Sequence, residues 1–169
     1  MRTLTPGEVI AWCREHAILI DEPARLPAAP HDLVSARHRL PPETRRLIWF
    51  CRYVEAKLQP WDRCLLWVTS WGIWESSENW HLYYRLRQSY GDLRLIEEAP
   101  GHLFLGHESH DLTSFLAIGL SAGWDMCVLP SNGRGRAVFS HDGWFELALS
   151  DETEVQRMAT ELAGNNILG

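Results

Sequence analysis

The chain of 169 residues carries a net charge of −6, and 46% of its residues are hydrophobic while 22% are charged. These values are typical of a folded globular protein and exclude a disordered chain. The acidic balance argues against a nucleic-acid partner, because phosphates require a matching basic surface. The length fits a single globular domain over residues 1–169.

The cellular compartment is predicted from what the chain does not carry. No stretch approaches about 18 uninterrupted apolar residues, and the first residues do not form a signal sequence, so no membrane partner is expected. The 4 cysteines are widely spaced and contain no metal-binding pair. We therefore predict a cytoplasmic protein with reduced cysteines and no cofactor.

The first element predicted along the chain is a helix. Thr5-Pro6-Gly7-Glu8 has the pattern of a capping box with proline at the first helical position, and the helix is expected to reach about residue 17. Residues 21–42 are rich in proline, which predicts a connection that runs over the surface. Residues 32–40 within it are predicted to form a short edge strand.

A second helix and a central strand are predicted next. The helix begins at Pro42-Glu43, and its apolar arc is formed by Leu47, Phe50, Cys51, Val54 and Leu58. Residues 63–70 are apolar on both faces and predict a strand that is covered on both sides. A third helix is expected from Ser76 or Ser77 to Gly91, followed by weaker strand signals near 93–97 and 102–106.

The last third of the chain predicts a fourth helix from Asp111, a β-meander and a terminal amphipathic helix. The meander has turns at the sequence SNGRG and at Asp142-Gly143. The predicted fold class is therefore α+β, with an antiparallel or mixed β-sheet, about five flanking helices, and a C-terminal β-meander followed by the amphipathic helix.

A candidate partner-binding surface lies on the second helix. Trp49 and Tyr53 fall outside the apolar arc, beside Arg45 and Arg52. Tryptophan, tyrosine and arginine are the residue types enriched at binding hot spots. Trp71 and Trp74, which flank a glycine in a loop, are candidates for the same function or for the rim of a cleft. The alternative is that a neighbouring loop, for example residues 21–42, covers these rings.

A candidate ligand pocket is suggested by Arg87 and by a histidine-rich segment. Arg87 falls within the apolar arc of the third helix, so it must pair with an acid such as Glu97 or Glu98, or else anchor an anionic ligand. The segment 101–111 places three imidazoles and a carboxylate within ten residues: His102, His107, His110 and Asp111. Their spacing matches no zinc motif, and no metal is predicted.

These patterns favour a non-catalytic cytosolic protein-binding module over an enzyme. One concrete form is a bacterial immunity-type protein that neutralises a toxin or other enzyme by covering its surface. The partner would be another protein, and a basic one if it meets the acidic residues 95–169. A homodimer is an alternative. The competing function is a metal-dependent or acid/base enzyme, or a small-ligand binder, that uses the segment from His102 to Asp111.

Overall fold

The computed structural model describes residues 1–21, 26–28, 32–41, 44–71 and 80–164. In these ranges the chain forms strands β1 (Arg2–Leu4), β2 (Ile20–Asp21), β3 (Leu26–Pro27), β4 (Val34–Arg39), β5 (Arg63–Ser70), β6 (Gly101–Leu105), β7 (Asp125–Pro130), β8 (Gly135–Ser140) and β9 (Trp144–Leu149). The helices are α1 (Pro6–Glu15), α2 (Thr44–Leu58), α3 (Trp80–Ser89), α4 (Ser109–Ser121) and α5 (Glu152–Gly164).

Seven of the described strands form one antiparallel sheet in the order β1-β6-β5-β7-β8-β9-β4. The strands β2 and β3 pair separately as a short hairpin. This arrangement confirms the predicted α+β class, including the meander β7–β9 and the helix α5 after it. It also confirms the central position of residues 63–70 and the edge strand predicted within 32–40.

The inner strands β5 and β7 are buried on both faces of the sheet, since consecutive residues, which point to opposite sides, are buried in each. In β5, Cys64, Leu66 and Val68 contribute to the main hydrophobic core, where residues of α2, α4 and α5 pack. Leu65 and Trp67 point the other way and pack in a second, smaller core with residues of α1. The helix α1 therefore lies on the face of the sheet opposite α2.

The structure confirms the capping box predicted for α1 and the apolar arc predicted for α2. The Thr5 side chain accepts a hydrogen bond from the Glu8 amide, and the Glu8 carboxylate accepts one from the Thr5 amide, which completes the capping box. The helix ends at Glu15, slightly before the predicted residue 17, and Ala17 has a left-handed φ of 55°. The predicted apolar arc of α2 is buried throughout.

Residues 93–97 were predicted as a strand, and that prediction is wrong. Two leucines of this segment, Leu93 and Leu95, are 80% and 62% exposed, and the segment forms turns and bends. The strand β6 pairs instead with β5 and with β1, a strand that was not predicted. The predicted start of the third helix at Ser76 or Ser77 lies outside the described residues.

The fourth helix begins two residues earlier than predicted, at Ser109, directly after a short 3-10 turn over Gly106–Glu108. Among the helices that the structure describes, none has the length and apolar character needed to cross a bilayer.

Candidate functional site

The outward side of α2 exposes large apolar side chains next to an arginine. Because Phe50, Cys51 and Val54 face the sheet, residues about half a turn away project outwards. Ile48 is 53% exposed and Trp49 is 42% exposed. We call this group, together with the exposed Arg52 and the half-buried Tyr53, the α2 surface: Ile48, Trp49, Arg52 and Tyr53.

The aromatic pair of the α2 surface is held in place by α5. The rings of Trp49 and Tyr53 stack with centroids 5.2 Å apart and planes 16° apart. The Tyr53 hydroxyl donates a hydrogen bond of 2.7 Å to Oε2 of Glu161, and Nζ of Lys57 lies 5.0 Å from the Tyr53 ring centre. Burial, followed by the bond to Glu161, raises the pKa of Tyr53. The hydroxyl therefore stays protonated and remains a donor.

The other residues predicted for partner binding are placed differently. Arg45 lies in the first turn of α2, one turn before Trp49. Trp71 is partly buried, with its ring centre 4.8 Å from that of Trp124 and 5.8 Å from that of Tyr83, so much of it belongs to the interior. Trp74 lies outside the described residues. The hydrogen bond to the Tyr53 hydroxyl is made by α5.

Arg87 is fully buried and paired with an acid, as predicted, but the acid is Asp92 and not Glu97 or Glu98. The Arg87 Nε donates to Oδ2 of Asp92 at 3.0 Å, and a terminal nitrogen donates to the same oxygen at 2.5 Å. Burial alone would raise the pKa of Asp92, but hydrogen bonds from Arg94 and Arg87 lower it well below its usual range. The ion pair is internal and neutralises the buried guanidinium.

The histidine-rich segment does not bring its side chains to one centre. His102 is completely buried in β6, and burial, with Arg87 nearby, lowers its pKa to about 3. His107 and His110 are exposed, whereas Asp111 accepts a hydrogen bond from the Tyr90 hydroxyl at 2.5 Å. Within the described ranges, no three His, Cys, Asp or Glu side chains are grouped as a metal site requires.

A cavity that the sequence analysis missed lies on the face of the sheet that α1 covers. Its volume is about 500 Å³, and it is lined by residues that follow α1 and β3 and by residues of β7 and β8, among them Ile18, Leu19, Ala28, Leu129 and Arg136. These residues are far apart along the chain, so no sequence motif indicates the cavity. The available signal was a single arginine, Arg136, in the otherwise largely apolar strand β8, but such a residue is equally typical of a strand face that meets solvent.

Comparison of the chain with protein-family models, with curated proteins and with solved structures finds no match.

Proposed function

We propose that the protein is a non-catalytic module that binds another protein through the α2 surface. The observation that supports this proposal is that Trp49 is 42% exposed and yet stacked on Tyr53, which α5 holds by a hydrogen bond. A large aromatic ring that is exposed and already fixed loses little conformational freedom when a partner covers it.

The neighbours of Trp49 have the composition of a binding hot spot. Ile48 is exposed beside it and extends the apolar area, while Arg52 lies one turn along the same helix and supplies a guanidinium. A partner would need an apolar pocket for the indole ring and an acceptor for the arginine.

The charges next to the α2 surface indicate which charged groups should border the apolar pocket of the partner. The acidic Glu161 of the adjoining helix α5 contacts Tyr53 and would attract a basic group of the partner at the border of the contact. The specific form that we propose is a bacterial immunity-type protein, acting in the cytoplasm, that neutralises a toxin or another enzyme by covering its surface.

The test compares partners retained by the wild-type chain with those retained by two variants at physiological salt. Trp49→Ala removes the central ring, and Leu93→Ala removes a leucine that is 80% exposed and lies outside α2. We expect a partner that is retained by wild type and by Leu93→Ala and is lost with Trp49→Ala. With that partner purified, calorimetry should show Trp49→Ala weakening the dissociation constant at least about tenfold.

Two results would contradict the proposal. One is that every partner binds Trp49→Ala as tightly as it binds wild type. The other is a homodimer, seen by light scattering after gel filtration, that becomes monomeric with Trp49→Ala and stays dimeric with Leu93→Ala. That result would assign the α2 surface to a second copy of the chain.

A further inference from the structure

The strand β4 lies at one edge of the seven-stranded sheet, and β9 is its neighbour among the described strands. It has six residues and no proline, whereas β1 at the opposite edge has three residues. An edge strand presents backbone amides and carbonyl groups that no neighbouring strand satisfies. Of the two edges of this sheet, β4 therefore offers the longer one for pairing with a further strand.

The hydrogen bonds of the sheet show which backbone groups of β4 are free. The Leu40 amide, just after the strand, donates to the carbonyl oxygen of Gly143 at 2.8 Å. Bonded residues alternate along an antiparallel pair, so the even-numbered residues of β4 bond to β9. The amides and carbonyl groups of Ser35, Arg37 and Arg39 point the other way. These three residues are exposed, and within the described ranges no backbone group bonds to them on that side.

The two faces of β4 differ in character. Arg37 and Arg39 lie on the face of the sheet that α1 covers, and the guanidinium carbon of Arg37 is 4.0 Å from the ring centre of Trp144. Ala36 lies on the opposite face and packs against the main core, where Val34 is 39% exposed. A strand added beside β4 would therefore meet two arginines on one face and apolar side chains on the other.

The two arginines are the charges that an added strand would meet directly. Residues opposite each other on neighbouring strands have Cβ atoms about 5 Å apart. Glu146, 3.4 Å from Arg37, lies one strand further from the edge and is shared with a second arginine. Arg39 is exposed and has no acid within ion-pair distance among the described residues. Asp32 precedes the opposite end of β4, and Asp142 lies 3.5 Å from a histidine of its own turn. An acidic side chain on the added strand is therefore favoured.

We propose that an extended acidic segment of another protein adds to the sheet as a strand beside β4. Its backbone would bond to the free amides and carbonyl groups of Ser35, Arg37 and Arg39, and acidic side chains at alternate positions would lie opposite the two arginines. The residues between them would be apolar and would extend the main core beyond Val34 and Ala36.

The same arginines disfavour a second copy of the chain at this edge. In the antiparallel register that uses all three free residues, Arg37 lies opposite the same residue of the copy, and like charges directly opposite each other are destabilising. Charged side chains are a common means by which proteins keep edge strands from pairing with themselves. They do not hinder a strand of opposite charge, so a different protein is the favoured occupant.

This edge is separate from the α2 surface. The helix α2 packs over the main core on one face of the sheet, whereas the free groups of β4 lie in the plane of the sheet at its end. A strand added at β4 does not require Trp49, so the two proposals can fail independently.

The experiment titrates the full ¹⁵N-labelled chain with three short blocked peptides. The first alternates valine with glutamate, the second has lysine in place of glutamate, and the third is the first peptide with N-methylated amides, which cannot pair as a strand. Amide hydrogen exchange followed by NMR locates binding, because the free amides of Ser35, Arg37 and Arg39 gain protection when they pair. We expect the glutamate peptide to protect these amides and to bind at least about tenfold more tightly than the other two.

Three variants of the chain separate charge from backbone pairing. Arg39→Glu reverses the charge at the edge, and Arg85→Glu makes the same change at an exposed arginine of α3. Arg39→Glu should weaken binding of the glutamate peptide at least about threefold and strengthen binding of the lysine peptide, whereas Arg85→Glu should change neither. Ser35→Pro removes an outward amide, which an edge strand tolerates, and should weaken the glutamate peptide while thermal unfolding stays cooperative.

Four results would overturn the proposal. They are that no peptide protects the edge amides, that the lysine peptide binds as tightly as the glutamate peptide, and that Arg39→Glu and Arg85→Glu behave alike. The fourth is protection of the same amides by the chain itself as its concentration rises, which would assign the edge to a second copy.

Discussion

The hydroxyl of Tyr83 in α3 and Nε2 of His102 in β6 lie 2.7 Å apart in the interior of the protein. The other ring nitrogen, Nδ1, is 3.3 Å from the carbonyl oxygen of Leu66, which can only accept a hydrogen bond. Nδ1 therefore carries the proton, and Nε2 accepts from Tyr83. Both side chains are almost completely buried, so His102 is a neutral histidine that ties α3 to the sheet.

The Tyr83 ring is also the centre of an aromatic cluster. Its centroid lies 5.0 Å from that of Trp124 and 5.9 Å from that of Phe115, both in edge-on arrangements. The guanidinium carbon of Arg87, which pairs with Asp92, lies 5.5 Å from the centre of the same ring. Tyr83 and Trp71 thus join α3 to the main core, whereas Trp67 packs in the second core with α1.

The neutral state of His102 predicts a loss of stability in acid. Burial lowers its pKa to about 3 in the folded protein, whereas the unfolded chain has an ordinary histidine pKa of about 6.5. Below pH 6.5 the unfolded state takes up a proton that the folded state does not, so stability falls as the pH drops towards 3. The slope from this residue should approach about 1.4 kcal/mol per pH unit, measured by urea unfolding at about pH 7, 6 and 5.

The matched control for this prediction is a second histidine in the same region. His102→Gln should lower stability at neutral pH and remove most of the slope, because glutamine does not titrate. His110→Gln changes an exposed histidine and should retain the slope. Parallel pH profiles for wild type and His102→Gln would show that His102 is not the group responsible.

The buried ion pair between Arg87 and Asp92 predicts a large loss of stability when one of its charges is removed. Asp92→Asn removes the charge that neutralises Arg87 while it keeps the size of the side chain. An uncompensated buried guanidinium should lower the free energy of unfolding by about 3–5 kcal/mol, measured with urea. Glu97→Gln makes the same change at an exposed acid and should alter stability by less than about 0.5 kcal/mol. Equal effects of the two variants would contradict the assignment of Asp92.

The sequence predicts that Arg87 pairs with an acid, but it does not predict which acid. That a cation on the apolar face of a helix needs an acid follows from burial alone. Which acid it meets depends on the path of the chain after α3. Gly91 adopts a left-handed φ of 80°, and the Asp92 amide then donates to the Arg87 carbonyl at 3.1 Å. This turn folds Asp92 back onto Arg87 and leaves Glu97 exposed on the surface.

The elements that were predicted correctly are those whose signals are local. The apolar spacing of α2, the two-sided apolar strand β5 and the turns of the meander β7–β9 all lie within a few neighbouring residues. The strand β1 has three residues, too few to show a period, and its partner β6 is about a hundred residues away. Such a pairing depends on the tertiary arrangement. The cavity, assembled from several segments, is outside the reach of a local pattern for the same reason.

Gly101, the first residue of β6, occupies a position where a methyl group has no room. A Cβ there would overlap Cγ2 of Val9 and lie 2.9 Å from Cβ of Leu4, both in the second core. Gly101→Ala should therefore lower the free energy of unfolding by about 1–3 kcal/mol through overpacking, measured by urea unfolding. Gly7→Ala, in the first turn of α1 with open space around it, should stabilise by about 0.5–1 kcal/mol. A tolerated Gly101→Ala would mean that α1 packs less closely on the sheet.

The burial of the cysteines predicts that their thiols react slowly in the native protein. Cys13, Cys51, Cys64 and Cys127 are all buried, and burial raises the pKa of Cys13 to about 11 and those of Cys51 and Cys127 to about 12. Since the thiolate is the reactive form, a thiol reagent such as dithionitrobenzoate should label the native chain slowly, and all 4 thiols should react in denaturant. A variant with an added exposed thiol, Ser150→Cys, should react rapidly at that position and serves as the positive control. Rapid labelling of the wild-type chain under native conditions would instead reveal an accessible, activated cysteine, and would reopen the case for a nucleophilic enzyme.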